Sequence, residues 1–345
     1  MMNSAYWRKR FAILEKNIVN KGIDYYNSLA GEYEKAMQEI QKEIEAWFVR
    51  YSKEEGISLT DAKKILTSSE LKTFQMDINE YIAKGRTLNY SDEWRKELER
   101  ISAKVRVSRL EEIQTQLRQR VESIYASESD GLNELLSDVF SSGYYHTAYE
   151  IQKGLGVGWS LSTINESVIQ RILSKPWAAD GTSFSERIWG KHRPQLMQYL
   201  KTELTQTIIR GEAPQDLINK TAKKFGTARS QAASLIMTEL SYFSSAAQKQ
   251  CFTDLNIAEY EIVATLDMKT SEICRDMDKK VFKMSEFEVG VTAPPFHVRC
   301  RTVTAPHFDD EFSTDNMRFA RGKDGKSYYV PASMTYKEWF EEYVK

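Results

Sequence analysis

Apolar residues recur every three or four positions through most of the first 125 residues of the chain. This spacing places apolar side chains on one face of a helix, while the lysines and glutamates between them lie on the other. One stripe runs from Trp7 to Tyr51 and a second from Trp94 to Ile124. Ser91 with Asp92 is a typical helix start ahead of the second stripe. The pattern predicts two long amphipathic helices with shorter helices between them.

Two arrangements can cover the apolar faces of such helices. They can fold back on one another as an antiparallel bundle or hairpin, or they can form an elongated arm that docks on a partner. The periodicity leaves both open. If the arm is correct, the apolar stripes are the candidate partner-binding surface, and its residues are Trp7, Phe11, Tyr33, Ile40, Trp47, Trp94, Leu98, Leu110 and Leu117.

The second half of the chain begins with more helices and ends with short β-like runs. Glycines near Gly131 and Gly143 are predicted to interrupt the helices, and the group from Gly154 to Gly158 to form a flexible loop. That group lacks the Lys-Ser/Thr pair of a P-loop, and no strand precedes it. Helical periodicity then continues to Gln250.

Strand-like runs at 260–265, 280–282 and 301–305 follow, separated by polar turns. The predicted fold is mainly α, with a long helical N-terminal half and a central helical region ahead of a small α+β C-terminal module. The predicted domains are 1–130 (long-helix bundle or arm), 131–250 (central helices), 251–310 (α+β module) and 311–345 (tail, with a helix-like run at 335–340).

Charge and cysteine content narrow the classes of protein that fit. The chain has 345 residues and a formal net charge of −1, which disfavours binding of nucleic acid or an acidic membrane through the whole surface. No apolar run is long enough for a transmembrane helix, and no apolar region follows the first charged residues. We therefore expect the chain to fold in a cytoplasm, where its three cysteines favour thiol or metal-ligand roles over disulfides.

Two of the three cysteines and two of the four histidines lie within the 34 residues from Cys274 to His307. Zinc takes four ligands in a tetrahedron, from cysteine, histidine and sometimes aspartate. Cys274, His297 and Cys300 are three candidate ligands, and Asp267 or His307 is the candidate fourth. Cys251 is a poorer candidate, because it lies at a predicted helix end before the strands. The alternative is a metal-free core of buried cysteines around a hydrogen-bonded histidine. The sequence leaves both open.

A catalytic role for the same residues lacks the necessary partners. Zinc deaminases need a glutamate two residues after a histidine, and none stands there. Nothing in the sequence marks an activated thiolate. We therefore expect no enzymatic activity.

An ordered series of motifs covers about residues 160–305. The motifs are Ser183–Trp189, Ile208–Ala213, Leu235–Glu239, Ala264–Cys274, Lys280–Phe282 and Pro294–Arg301. In this series the chain resembles the minor head proteins of tailed bacteriophages, the Mu F-like and SPP1 minor head protein-like family. The order and spacing of Asp267, Cys274, His297 and Cys300 match that family's Asp, Cys, His and Cys pattern. Met237 and Lys279 depart from it, since relatives commonly have arginine and glycine there.

The resemblance implies a minor capsid protein in head morphogenesis, bound to the portal vertex inside the procapsid and assisting DNA packaging or ejection. It implies a portal, scaffold or major capsid protein as partner, contact with packaged DNA, and no membrane. The implied location is the capsid interior of the virion, with the host cytoplasm during assembly.

Two alternatives belong to other classes of protein. The first is a phage-delivered effector, but only about 40 residues follow Arg301, too few for a further domain. The second is a zinc-dependent nucleic-acid-binding protein, which the near-neutral charge disfavours.

Overall fold

The computed structural model describes residues 3–52, 56–155, 164, 166–308, 317–321 and 327–331. Over these residues the protein is mainly α, as the sequence predicts. The helices are α1 (Ser4–Tyr51), α2 (Leu59–Ala62), α3 (Ser68–Lys84), α4 (Asp92–Ser102), α5 (Arg109–Leu155), α6 (Glu166–Leu173), α7 (Phe184–Arg187), α8 (Arg193–Arg210), α9 (Pro214–Asp254) and α10 (Glu272–Met277). The strands are β1 (Glu259–Val263), β2 (Val281–Lys283), β3 (Val303–His307), β4 (Met317–Arg321) and β5 (Ser327–Pro331).

The helix start predicted at Ser91 is confirmed, because its Oγ accepts a hydrogen bond from the backbone N–H of Trp94 at 3.2 Å. The helix does not continue to Ile124 as predicted. It ends at Ser102, and α5 begins only at Arg109. Between them the backbone leaves the helix to pair with a distant segment: the Leu66 N–H donates to the Val107 carbonyl at 2.8 Å.

Helix α5 passes through both glycines that were predicted to interrupt it. At Gly143 the added Cβ of any other residue would lie 3.3 Å from the Cβ of Ala247 in α9. The glycine allows the two helices to approach closely at this point, although glycine costs roughly 1 kcal/mol in a helix interior. Gly154 and Leu155 are the last residues of α5, and the rest of the predicted 154–158 loop lies outside the described residues.

The chain divides into two compact units, each built from separate segments. The first unit combines residues 1–25, 133–177 and 234–345, and the second combines 26–132 and 178–233. The domains predicted from sequence follow the order of the chain instead, and those boundaries stay a prediction.

Large aromatic side chains and buried polar contacts hold the second unit together. Trp94 is fully buried, and its Nε1–H donates to Gln119 Oε1 at 2.9 Å. The rings of Tyr33 and Tyr125 meet edge to face with their centroids 6.2 Å apart. Arg193 pairs with the fully buried carboxylate of Glu122 at 2.8 Å, so this buried charge has a partner.

A further buried carboxyl group in the second unit belongs to Glu128. Its Oε2 accepts a hydrogen bond from the Tyr33 hydroxyl at 2.5 Å. Burial raises the pKa of Glu128 to about 7, although the bond from Tyr33 opposes the rise. This group therefore changes its protonation near neutral pH.

The first turns of α1 pack inside the first unit against residues from much later in the chain. The Trp7 ring lies against Gly154, where an added Cβ would overlap Cη2 of the ring, and its centroid is 5.4 Å from that of Phe308. Arg8 forms an ion pair with Glu261 of β1. Glycine at position 154 is thus required by the ring that occupies its side-chain space.

The C-terminal part of the first unit contains the predicted small sheet. Strand β1 lies in the centre and pairs antiparallel with β2 and β3, with Val263 opposite Val303 and Glu259 opposite His307. Helix α10 connects β1 to β2, and β4 pairs with β5 in a separate two-stranded sheet. The predicted helix at 335–340 lies outside the described residues. We call residues 259–308 the Cys/His module.

None of the helices in the described part of the chain combines the length and apolar character needed to span a membrane.

Candidate metal centre

Three side chains of the Cys/His module converge on one point. The Sγ atoms of Cys274 and Cys300 are 3.7 Å apart, and Cys274 Sγ is 3.1 Å from Nε2 of His297. All three potential ligand atoms lie within 4.8 Å of one another. Within the described ranges no other cluster of three or more such side chains could hold a metal ion.

Helix α10 positions Cys274 in its first turn. Ser271 caps the helix, and its Oγ accepts the backbone N–H of Cys274 at 3.4 Å. The Cys274 side chain is buried against Ala264 and Cys300, and Phe296 packs on the same cluster. A short capped helix after a strand thus fixes the first thiol.

A tight loop ahead of β3 positions the other two groups. The Cys300 N–H donates to the His297 carbonyl at 3.2 Å, and Arg299 between them has a left-handed backbone with φ 59°. That conformation is unfavourable for a residue with a side chain. Two hydrogen bonds to α9 support it: the Arg299 N–H donates to Thr238 Oγ1 and its Nε to Ser234 Oγ, each at 3.0 Å.

The hydrogen bond at Nδ1 fixes the tautomer of His297. Nδ1 lies 2.8 Å from the carbonyl oxygen of Val298. Because a carbonyl only accepts, Nδ1 carries the proton. In the neutral ring Nε2 then presents its lone pair to the thiols.

The pKa values of the two thiols shift in opposite directions. Hydrogen bonding from Cys274, reinforced by His297, lowers the pKa of Cys300 despite its burial. The same contact with Cys300, together with burial, raises the pKa of Cys274. Hydrogen bonding to Cys300 also raises the pKa of His297. Such a group can serve either as a metal ligand set or as a hydrogen-bonded thiol and imidazole core.

The other two candidate ligands lie outside this group. The carboxylate of Asp267 is held by Arg301, with Oδ1 at 2.7 Å from Nη2, and it also accepts the N–H of Lys269 at 2.9 Å. Burial raises the pKa of Asp267, but the bonds and charge of Arg301 outweigh burial and leave it lowered. His307 is the last residue of β3.

Arg301 is the site residue that the sequence analysis did not single out. It stands next to Cys300, and its guanidinium pairs with Asp267, which lies 34 positions earlier in the chain. No local pattern in the sequence indicates this pair, because the need for a cation follows from the burial of Asp267 in the folded chain.

The structure places the apolar stripe residues inside the chain's own core. Those with exposed fractions of 4% or less are Trp7, Phe11, Tyr33, Ile40, Trp47, Trp94, Leu98 and Leu117, while Leu110 is partly buried. An apolar stripe indicates that one face of a helix is covered, but it does not identify what covers that face. In this structure the rest of the chain covers it. Partner binding by these side chains stays a prediction, and it would require the helices to separate.

Comparison with known proteins gives two matches. The family model described as Phage Mu protein F like protein matches residues 198–305, a range that includes Asp267, Cys274, His297 and Cys300. The chain is also similar to minor head protein GP7 of Bacillus phage SPP1. The two are 24% identical over 307 residues, covering 81% of this chain and 92% of that protein. No solved structure matches the chain.

Proposed function

Both matches support the phage minor head protein family, and from that premise we propose that the chain acts in head morphogenesis as a minor capsid protein of a phage or prophage. The observation that carries the proposal is the extent of the match to the SPP1 protein, which covers 92% of that relative. The alignment is too long to be confined to the Cys/His module. It therefore extends into the long helices as well.

The proposed location is the capsid interior at the portal vertex, reached in the host cytoplasm during assembly. The proposed partners are the portal protein, the scaffold or the major capsid protein, with a role in DNA packaging or ejection. The name of the SPP1 relative, a head protein, supports a place in the virion. Because the apolar stripes are buried, contacts with a partner would use the exposed surface of the helices.

We also propose that the role is structural rather than catalytic. The three converging groups are two thiols and an imidazole, and the nearby carboxylate of Asp267 is bound to Arg301. In the described part of the chain no carboxylate belongs to this cluster. The thiols therefore have no carboxylate next to them that could act as a general acid or base.

The experiment is a deletion and complementation test in the phage or prophage that encodes the chain. Heads are purified from cells with the gene, without it, and with the full chain restored, and are then examined by mass spectrometry and for DNA content. We expect a low copy number of the chain in purified heads, and fewer DNA-filled heads without it. Heads that lack the chain and fill normally after deletion would overturn the proposal.

Partner choice is tested separately with the full chain. Co-expression with a tagged portal protein should retain the chain on the affinity resin, whereas co-expression with a tagged major capsid protein provides the comparison. Retention by the capsid protein alone would contradict the portal assignment while leaving the head role intact.

A further inference from the structure

We propose that Cys274, His297 and Cys300 bind one zinc ion through Sγ, Nε2 and Sγ, joining the first turn of α10 to the loop ahead of β3. This inference rests on the geometry of the cluster and does not depend on the proposed head function.

The separations between the donor atoms fit a tetrahedral metal site. Zinc–sulfur bonds of about 2.3 Å at tetrahedral angles place two sulfurs about 3.8 Å apart. The observed separation between Cys274 Sγ and Cys300 Sγ is 3.7 Å. A zinc–nitrogen bond of about 2.0 Å places nitrogen and sulfur about 3.5 Å apart. Nε2 of His297 lies 3.1 Å from Cys274 Sγ, a few tenths of an ångström less than this value, and within 4.8 Å of Cys300 Sγ.

The orientation of the imidazole also fits a zinc ligand. Histidine ligands of metals commonly donate their second ring N–H to a backbone carbonyl, which fixes the ring and its tautomer. The Nδ1 of His297 makes this bond to Val298 at 2.8 Å. The ring is thus already held with its free nitrogen toward the two sulfurs.

The ligands come from two segments that are separated in the sequence. Cys274 and His297 are 23 positions apart in the sequence. The loop that carries His297 and Cys300 includes the strained Arg299 backbone. A metal ion that binds only the folded arrangement stabilises it by the free energy of binding.

Neither further candidate supplies the fourth ligand in this structure. Asp267 is engaged with Arg301, and His307 lies outside the group. The proposal therefore assigns three protein ligands. It predicts that Asp267→Asn and His307→Gln leave the zinc content unchanged.

The first test measures metal in the full-length protein purified without chelator from zinc-supplemented cells. We expect about one zinc per chain by elemental analysis. Replacing zinc with Co²⁺ should give the visible absorption of a tetrahedral cobalt–thiolate site. A zinc content near zero, no cobalt–thiolate absorption, and three thiols that titrate freely after denaturation would establish the metal-free core and overturn the proposal.

Variants then identify the ligands. Cys274→Ser, His297→Gln and Cys300→Ser should each weaken zinc binding by about 100-fold or more, measured by competition with a chromophoric chelator. Cys251→Ser is the matched control, because Cys251 is a buried free cysteine that is not part of the group. It should keep one zinc per chain. Equal loss of zinc in this control would contradict the assignment.

A chelator experiment on the wild-type chain covers the case in which a ligand variant does not fold. Adding a chelator should lower the melting temperature of the wild-type protein and leave that of the Cys300→Ser variant, if folded, unchanged. An unchanged wild-type melting temperature with a zinc content near zero rejects the site without any variant.

Discussion

The second unit and the Cys/His module are stabilised by different kinds of contact. The second unit buries large aromatic side chains, such as Trp94, and pairs its buried charges across helices. The module has a three-stranded sheet and a short helix, and its distinctive contacts are the Asp267–Arg301 pair and the thiol and imidazole group. From this difference we expect buried apolar area to contribute most of the stability of the second unit, and single polar contacts to contribute a larger share in the module.

The largest expected effect tests the role of aromatic burial in the second unit. Trp94→Ala removes a fully buried indole and its hydrogen bond to Gln119, so we expect a loss of about 3–5 kcal/mol in the free energy of unfolding. Urea denaturation followed by far-ultraviolet circular dichroism measures it. The control is Met76→Ala, whose side chain is 65% exposed, with an expected change within about 0.5 kcal/mol. Similar small changes in both variants would break the comparison.

The second effect is a pH dependence that belongs to the second unit. Because burial raises the pKa of Glu128 to about 7, the folded state binds its proton more tightly than the unfolded chain does. The resulting stabilisation is fully present below the unfolded pKa and is lost as the pH rises through about 7. The loss amounts to up to about 3 kcal/mol.

Glu128→Gln isolates this contribution, because the amide keeps an acceptor for the Tyr33 hydroxyl and does not titrate. The free energy of unfolding of the variant minus that of the wild type should therefore increase between pH 5 and pH 8. A difference that stays constant across this range would show that Glu128 titrates as an exposed carboxyl.

The third effect tests the polar contacts of the Cys/His module. Arg301→Ala leaves the buried carboxylate of Asp267 without its cation, and because the arginine is partly exposed we expect a loss of about 2 kcal/mol. Hydrogen exchange should accelerate at the Lys269 amide, which donates to Asp267. Adding Asp267→Asn to this variant should recover part of the loss. No recovery would show that Arg301 acts through packing of its side chain rather than its charge.

The smallest expected effect concerns the serine that caps a helix, a contact found in both regions. Ser183 caps α7 in the second unit and Ser271 caps α10 in the module. Ser183→Ala and Ser271→Ala should each cost about 1 kcal/mol, measured by chemical denaturation. Equal losses would sharpen the comparison by showing that helix capping contributes alike in both. A much larger loss at Ser271 would indicate that this cap also supports the thiol group through Cys274.

Local patterns in the sequence predicted the features that depend on neighbouring residues. The helix start at Ser91, the three strands of the small sheet and the convergence of Cys274 with His297 and Cys300 follow from spacing and residue type. The spacing of apolar residues does not predict that the helix ends after Ser102. The backbone beyond it pairs with a distant residue, since Val107 accepts the N–H of Leu66.

The same limit applies to side chains whose partners are distant. Asp267 is a candidate metal ligand in the sequence because a carboxylate can bind a cation. Nothing nearby in the sequence indicates that this cation is the guanidinium of Arg301. The stripes likewise predicted covered helix faces, but their periodicity does not identify the covering residues. Both questions depend on contacts between residues far apart in the chain, which spacing alone does not specify.

The packing of Trp7 has a consequence for synthesis of the chain on the ribosome. The ring packs against Gly154 and Phe308, and the neighbouring Arg8 pairs with Glu261. Each of these partners is translated more than 140 residues later. The start of α1 therefore leaves the ribosome with an apolar face that stays uncovered until its partners have been translated. From this long-range closure we expect slow folding and an apolar helix face that stays exposed on the nascent chain.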